Sequence, residues 1–164
     1  MNHLFSPWRM NYVTSEKNKS GCIFCSAQDN DDESGALVAF RGEHAYVIVN
    51  RFPYTSGHIM IVPNAHSSNL QSLDPATRAE LMELTAKGTE ILQTLYHPQG
   101  FNIGINLGEA AGAGIEPHLH IHIVPRWFGD TNFMTAVGAT RVLPEALEET
   151  TVRIRDAWNA RGTM

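Results

Sequence analysis

The sequence has little basic charge and no basic cluster. Its 164 residues include 12 Lys and Arg against 17 Asp and Glu, which gives a formal net charge of −5. Proteins that bind long nucleic acids need clustered Lys and Arg to neutralise phosphates, and no such run occurs here. We therefore expect no long nucleic acid as a partner.

The sequence also lacks a long apolar segment. A transmembrane helix needs about 18 or more consecutive apolar residues, and no stretch reaches that length. Residues 1–8 show no basic segment followed by an apolar one, as a secretory signal would. We therefore expect a cytoplasmic protein without membrane contact. In that reducing compartment its two cysteines, Cys22 and Cys25, are not expected to form a structural disulfide.

The length fits one domain with its own core. Residues 1–35 read as an irregular N-terminal arm that packs on the domain formed by residues 36–164. Alternating and β-branched residues predict five strands, at 36–41, 45–49, 57–62, 101–106 and 118–125. Helical periodicity predicts helices at 70–96, with Asp74 and Pro75 at its first turn, and at 144–160. The predicted class is α+β, an antiparallel meander with helices on one face.

The most informative segment alternates histidine with aliphatic residues. His118, His120 and His122 are separated by single apolar positions, so in a strand they would share one face. Imidazoles with a pKa near about 6.5 suit a nucleophile, an acid or base, or a metal ligand. Because imidazole attacks phosphorus well and leaves well when protonated, one histidine could carry a nucleotidyl group covalently.

Two further segments carry residues suited to phosphate and nucleotide binding. Residues 106–114 are poor in side chains, and the backbone N–H groups of Gly112, Ala113 and Gly114 could approach phosphate oxygens closely. Asn50 and His58 stand at a predicted strand end and a predicted strand start. Each feature alone is equally typical of an ordinary turn.

Together these segments resemble the histidine triad (HIT) family of nucleotide hydrolases and transferases. The resemblance rests on residues 50–53, residues 57–63, Asn106, Gly108 and the triad with its following Pro125 and Arg126. It implies a HIT-like fold, a five-stranded antiparallel sheet with two helices. It also implies a homodimer, with the sheet extended across an interface formed by helix 70–96 and strand 101–106.

The resemblance implies a role for each histidine of the segment. His120 corresponds to the nucleophile that becomes nucleotidylated on the α-phosphate, and His122 to a phosphate ligand. His118 and His58 correspond to groups that orient the triad. Among the remaining positions, Asn50 corresponds to a ribose ligand.

Asn106 corresponds to a ligand on the phosphate side. Trp127 could stack on a purine ring, although a tryptophan beside an apolar strand is also typical of a core.

The flanking residues 7–12 and 125–134 resemble a bacterial branch that includes diadenosine tetraphosphate phosphorylases. Gly114 replaces a glutamine of many family hydrolases, which leaves room for inorganic phosphate as second nucleophile.

The resemblance therefore implies nucleotidyl transfer from the α-phosphate of adenine mononucleotides or dinucleotides, by phosphorolysis or hydrolysis of diadenosine polyphosphates. A nucleoside phosphoramidate hydrolase and a non-catalytic nucleotide-binding regulator are the alternatives, as is a plain metal protein. An intact His120 favours an enzyme, since a pure binder needs no nucleophile.

The spacing of Cys22 and Cys25 is half of a zinc site, which needs two more ligands. By resemblance, His66 and His118 would complete a structural zinc site. The other interpretation is a pair of buried thiols that pack beside Phe24. No organic cofactor is expected.

Overall fold

A five-stranded antiparallel sheet organises the part of the chain that the computed structural model describes, residues 21–29, 35–111, 118–130 and 145–160. Three helices accompany it within these ranges. The strands are β1 (Val38–Arg41), β2 (Ala45–Val49), β3 (Ile59–Pro63), β4 (Gly100–Ile105) and β5 (Ile121–Arg126). The helices are α1 (Ile23–Asp29), α2 (Pro75–Tyr96) and α3 (Leu147–Ala160).

The strand order is β1-β2-β3-β5-β4, and every neighbouring pair is antiparallel. The predicted antiparallel sheet is confirmed, but the predicted meander is wrong because β5 lies between β3 and β4. Strands β3 and β4 consequently run parallel, and parallel strands need a crossover connection. Helix α2 supplies that crossover and leaves β4 at the edge of the sheet.

Helices α2 and α3 cover one face of the sheet. A Cβ atom on Gly88 of α2 would lie 3.1 Å from Ile59 Cδ1 and 3.2 Å from Ile123 Cδ1, so glycine permits this close approach. Trp158 and Ile154 of α3 are buried in the same core. Alternation along β5 then turns His122 to the opposite face.

Helix α1 lies against that opposite face, where the sequence predicted no helix. Tyr46 alternates with residues that face α2, and its hydroxyl donates to the main-chain oxygen of Phe24, at 2.7 Å. Phe24 and Ala27 are buried in the core cluster, so the predicted irregular arm is in part helical. The predicted boundary at residue 35 stays a prediction.

Several predicted boundaries shift by a few residues. Helix α2 begins at Pro75 rather than at residue 70, because Asp74 caps it by accepting a hydrogen bond from the Thr77 amide at 2.8 Å. Helix α3 begins at Leu147, and residue 144 lies outside the described ranges. No helix among the described residues is long and apolar enough to cross a membrane.

Candidate active site

The segment that leads into β5 holds the first two histidines of the triad. The predicted strand start at residue 118 is wrong, since β5 begins at Ile121. The Leu119 amide instead donates to the Ser67 oxygen at 2.6 Å, and His118 Nε2–H donates to the Pro63 oxygen at 2.8 Å. These two bonds attach the segment to the last residue of β3 and to the loop that follows it.

His118 directs its second ring nitrogen at the two cysteines. Because a carbonyl only accepts, the bond to Pro63 assigns the proton to Nε2 and leaves a lone pair on Nδ1. That Nδ1 lies 3.3 Å from Cys22 Sγ and 3.6 Å from Cys25 Sγ. The imidazole is 1% exposed, and this burial lowers its pKa below the ordinary histidine value. His118 is therefore neutral, and the lone pair of its Nδ1 is directed at the thiols.

His120 has the opposite tautomer. Its Nδ1–H donates to the main-chain oxygen of His118 at 2.9 Å, which leaves the lone pair on Nε2. Burial lowers the pKa of His120 below 6.5, although the hydrogen bond to His118 opposes that shift. The ring centroid lies 4.7 Å from that of His122. A neutral imidazole with an available lone pair is what a nucleophile requires.

A hydrogen-bonded chain sets the tautomer of His122. The Tyr54 amide donates to His58 Nδ1 at 3.1 Å, so the proton of His58 is on Nε2. His58 Nε2–H then donates to His122 Nδ1 at 3.0 Å, which assigns the proton of His122 to Nε2. His58 is 0% exposed, so its orientation is fixed by packing as well. His122 can consequently act as a donor beside the nucleophile.

The two asparagines singled out from the sequence follow strands that run in opposite directions, and so lie at opposite ends of the sheet. Asn50 follows β2, its Oδ1 accepts from the Phe52 amide at 2.9 Å, and its Nδ2 lies 3.3 Å from His58 Nδ1. Asn106 follows Ile105, the last β4 residue paired with β5, and so lies next to the chain of His120. Both are half-buried.

Trp127 lies far from the triad histidines of its own chain. It follows the far end of β5, and the six extended residues of that strand separate it from His120 by roughly 20 Å. Its Nε1–H donates to the Tyr96 oxygen at 3.3 Å. The other predicted phosphate contacts, Gly112 to Gly114, lie outside the described residues.

Four potential metal ligands meet beside the triad, as the sequence predicted. One donor atom from each residue lies within 4.8 Å of all the others, and the residues are Cys22, Cys25, His66 and His118. Helix α1 supplies Cys25, the residue before it supplies Cys22, and the loop after β3 supplies His66.

The distances in this cluster fit a tetrahedral metal site. Cys25 Sγ lies 3.3 Å from His66 Nδ1, close to the two contacts of His118. A zinc ion with Zn–S of about 2.3 Å and Zn–N of about 2.0 Å would separate sulfur from nitrogen by roughly 3.5 Å. The Pro63 oxygen, which fixes the His118 ring, is a partner typical of metal-binding histidines.

Sequence reasoning missed three groups at this site. The Pro63 oxygen and the Tyr54 amide belong to the main chain, and no side-chain pattern reveals such groups. The Phe24 ring lies 4.9 Å from the His120 ring and 5.5 Å from the His118 ring. The position of Phe24 between two cysteines could have indicated these ring contacts, but from the sequence we inferred only packing beside the thiols.

Comparison with known proteins settles the family. The HIT domain family matches residues 31–129. The chain belongs to the HIT domain family. The AP-4-A phosphorylase of Mycobacterium tuberculosis is 39% identical over 96% of this chain and 85% of its own length. The resemblance to that bacterial branch is confirmed.

Solved structures agree with the sheet and helices described above. A Zn-bound histidine triad family protein from Mycobacterium smegmatis superimposes with a TM-score of 0.70 and 29% identity, over 86% of this chain and 95% of that one. A hypothetical histidine triad nucleotide-binding protein from Sulfolobus tokodaii gives a TM-score of 0.69 and 27% identity, over 85% and 93% of the two chains. The predicted HIT-like fold is therefore confirmed, and the described ranges contain one helix more than the sequence predicted.

Proposed function

We propose that this protein transfers a nucleotidyl group from the α-phosphate of an adenine dinucleotide, through a covalent bond to His120. The observation that carries the proposal is the hydrogen bond from His120 Nδ1–H to the His118 oxygen, which leaves the lone pair of Nε2 available. The relative named AP-4-A phosphorylase supports diadenosine tetraphosphate as substrate.

In the first step, His120 Nε2 attacks the α-phosphorus and the bond to the bridging oxygen breaks. With diadenosine tetraphosphate, ATP leaves and AMP stays bound to His120. The imidazole gains positive charge as the N–P bond forms, and the His118 oxygen that accepts from Nδ1–H stabilises that charge. The proton that the His58 chain assigns to His122 Nε2 can be donated to a phosphate oxygen.

In the second step, an acceptor attacks the phosphorus and His120 leaves. Inorganic phosphate yields ADP, whereas water yields AMP. We propose phosphate as the acceptor, because the relative's name specifies a phosphorylase and Gly114 has no side chain where many family hydrolases have glutamine. Asn50 would bind the ribose and Asn106 would contact the phosphates.

The deciding assay incubates the protein with diadenosine tetraphosphate, with and without inorganic phosphate, and separates the products. Phosphorolysis gives ADP and ATP only when phosphate is present. AMP and ATP in both reactions would overturn the phosphorylase assignment but keep the covalent enzyme. Turnover of a nucleoside phosphoramidate alone would favour the phosphoramidate hydrolase, and tight binding without products would favour a regulator.

We propose zinc as the ion bound by the four-ligand cluster of Cys22, Cys25, His66 and His118. Two thiolates and two imidazoles at these separations match its preferred donors and geometry. The zinc-bound relative from Mycobacterium smegmatis supports this identity. When bound, the ion would join α1 to the loop after β3, and its role would be structural since four protein ligands leave no open position.

A homodimer through β4 is part of the proposal. Strand β4 is an edge of the sheet, and Ile103 on it is 51% exposed, which favours pairing with a second copy. Light scattering should give twice the chain mass of 18.2 kDa, and Ile103→Lys should lower it. Val152→Lys is the control, because Val152 on α3 is 50% exposed. A monomeric wild type would contradict the dimer. The cytoplasmic location stays a prediction.

A further inference from the structure

The ring of Phe24 packs directly against the proposed nucleophile. The Phe24 and His120 centroids are 4.9 Å apart with an interplanar angle of 39°, and His122 contacts the same imidazole at 4.7 Å and 78°. The imidazole of His120 thus contacts two aromatic rings. The hydrogen bond from His120 Nδ1–H to the His118 oxygen restrains the orientation of the imidazole further.

Phe24 itself is held by several independent attachments. Its main-chain oxygen accepts from the Tyr46 hydroxyl at 2.7 Å, and Tyr46 is buried in β2. The residues Cys22 and Cys25 on either side of it both contact His118 Nδ1. A ring fixed in this way can restrict its neighbour, because moving it would disturb α1 and the four-ligand cluster together.

We propose that Phe24 is a positioning residue that holds the His120 imidazole in the orientation from which Nε2 attacks phosphorus. The inference rests on the proposed function for the role of His120, and on the ring geometry for the role of Phe24. A displacement of about 1 Å in a reacting group can reduce the rate about a hundredfold. Phe24 thereby links the orientation of the nucleophile to the segment between Cys22 and Cys25.

A direct contact between Phe24 and the nucleotide base is the competing role. Phe24 is only 4% exposed, so its ring offers almost no surface to a ligand. Stacking on a base would require an accessible ring face, as aromatic stacking on nucleotides generally does. The two roles separate kinetically, because positioning acts on kcat while ligand contact acts on KM.

The test compares Phe24→Leu and Phe24→Ala with Phe40→Leu. Phe40 is a matched control since its half-buried ring stacks on Trp158 at 5.2 Å, on a strand at the opposite edge of the sheet from β4. Kinetics use diadenosine tetraphosphate with inorganic phosphate. Side-chain ¹⁵N chemical shifts of His120 above pH 8 report the tautomer independently of turnover. Circular dichroism and zinc content check that each variant is folded and loaded.

We expect kcat to fall about tenfold in Phe24→Leu and up to about a hundredfold in Phe24→Ala, with KM nearly unchanged. The ¹⁵N shifts should show a single Nδ1–H tautomer in the wild type and in Phe40→Leu, and a mixture in the Phe24 variants. If Phe24→Ala does not fold, the Leu variant decides alone.

Two results would overturn the proposal. One is a raised KM with unchanged kcat, and the other is a Phe24→Leu protein that matches Phe40→Leu in both kcat and tautomer. If the wild type turns over no nucleotide, the proposed function fails while the ¹⁵N comparison still decides the role of Phe24.

Discussion

Two neighbouring groups of side chains differ in this protein. One is the four-ligand cluster, which contains His118, and the other is the proposed active site, which contains His120. In the cluster with Cys22 and Cys25, His118 donates from Nε2 and presents the lone pair of Nδ1 to the thiols. Two residues later, His120 donates from Nδ1 and keeps the lone pair of Nε2. In both cases a main-chain carbonyl, and not another side chain, selects the tautomer.

The difference shows that an alternating histidine pattern does not assign equal roles to its members. Pro63 ends β3 and supplies one acceptor, while the turn before β5 lets His118 supply the other. This difference supports the proposal that the first histidine is a metal ligand and the second a nucleophile. The predictions that follow separate the two groups by experiment.

The largest expected effect is that of His120→Ala. Loss of the nucleophile should reduce kcat by several orders of magnitude, because covalent catalysis is removed. Zinc content and thermal stability should stay close to those of the wild type. His44→Ala, on the turn between β1 and β2, is the control and should keep full activity. A His120→Ala protein with more than about a tenth of the wild-type kcat would contradict the covalent mechanism.

Removal of a ligand from the four-ligand cluster should instead lower zinc content and thermal stability. Cys22→Ser should lower zinc below one ion per chain and lower the Tm, since metal-binding free energy contributes to folding. In a chain of this size, each kcal/mol lost lowers the Tm by about 2–4 °C. Elemental analysis and differential scanning calorimetry, with and without a chelator, measure both effects. A wild type without zinc and with two freely titratable thiols would leave the cysteines as packing residues.

An intermediate effect is expected from His58→Ala, which removes the donor to His122 Nδ1. The proton of His122 would no longer be confined to Nε2, and kcat should fall roughly ten- to a hundredfold. Because His58 is fully buried, the variant also leaves a cavity, so its Tm must be measured. His66→Ala serves as comparison, as it should reduce zinc content and leave the His58 to His122 bond intact. If His58→Ala and His66→Ala lost the same share of kcat and the same share of zinc, the two groups of residues would not have separate roles.

The smallest effect concerns pH. Burial lowers the pKa of His120, so its neutral form persists below pH 6.5. The value of kcat/KM should therefore decline as the pH falls with a midpoint below 6.5, as Nε2 becomes protonated. Values of kcat/KM measured across this pH range at saturating zinc test the direction of the pKa shift. A midpoint above 6.5 would show that His120 is more easily protonated than its burial implies.

Side-chain patterns in the sequence predicted most of the fold, and the resemblance to the HIT family supplied most members of both groups. Strand β2 was predicted with its observed bounds. The cysteine spacing predicted half of the cluster that the structure contains, and the resemblance added His66 and His118. Apolar periodicity reveals α2 because its buried face repeats every three or four residues.

The remaining features depend on contacts between distant segments. Helix α1 is only seven residues long, and its position is stabilised by tertiary contacts such as that of Tyr46, not by an amphipathic pattern. The insertion of β5 between β3 and β4 follows from the crossover through α2, which strand patterns do not encode. The tautomers depend on carbonyl acceptors, so His118 and His120 look alike in the sequence.

The most direct test of the divided roles is to trap the nucleotidylated protein and map the modified nitrogen. Wild-type protein is mixed with diadenosine tetraphosphate without phosphate, quenched within one turnover, digested under alkaline conditions and analysed by tandem mass spectrometry. The account predicts one AMP group per active site, on His120 and on neither His118 nor His122. An AMP group on His118, or none on any histidine while product forms at full rate, would contradict it.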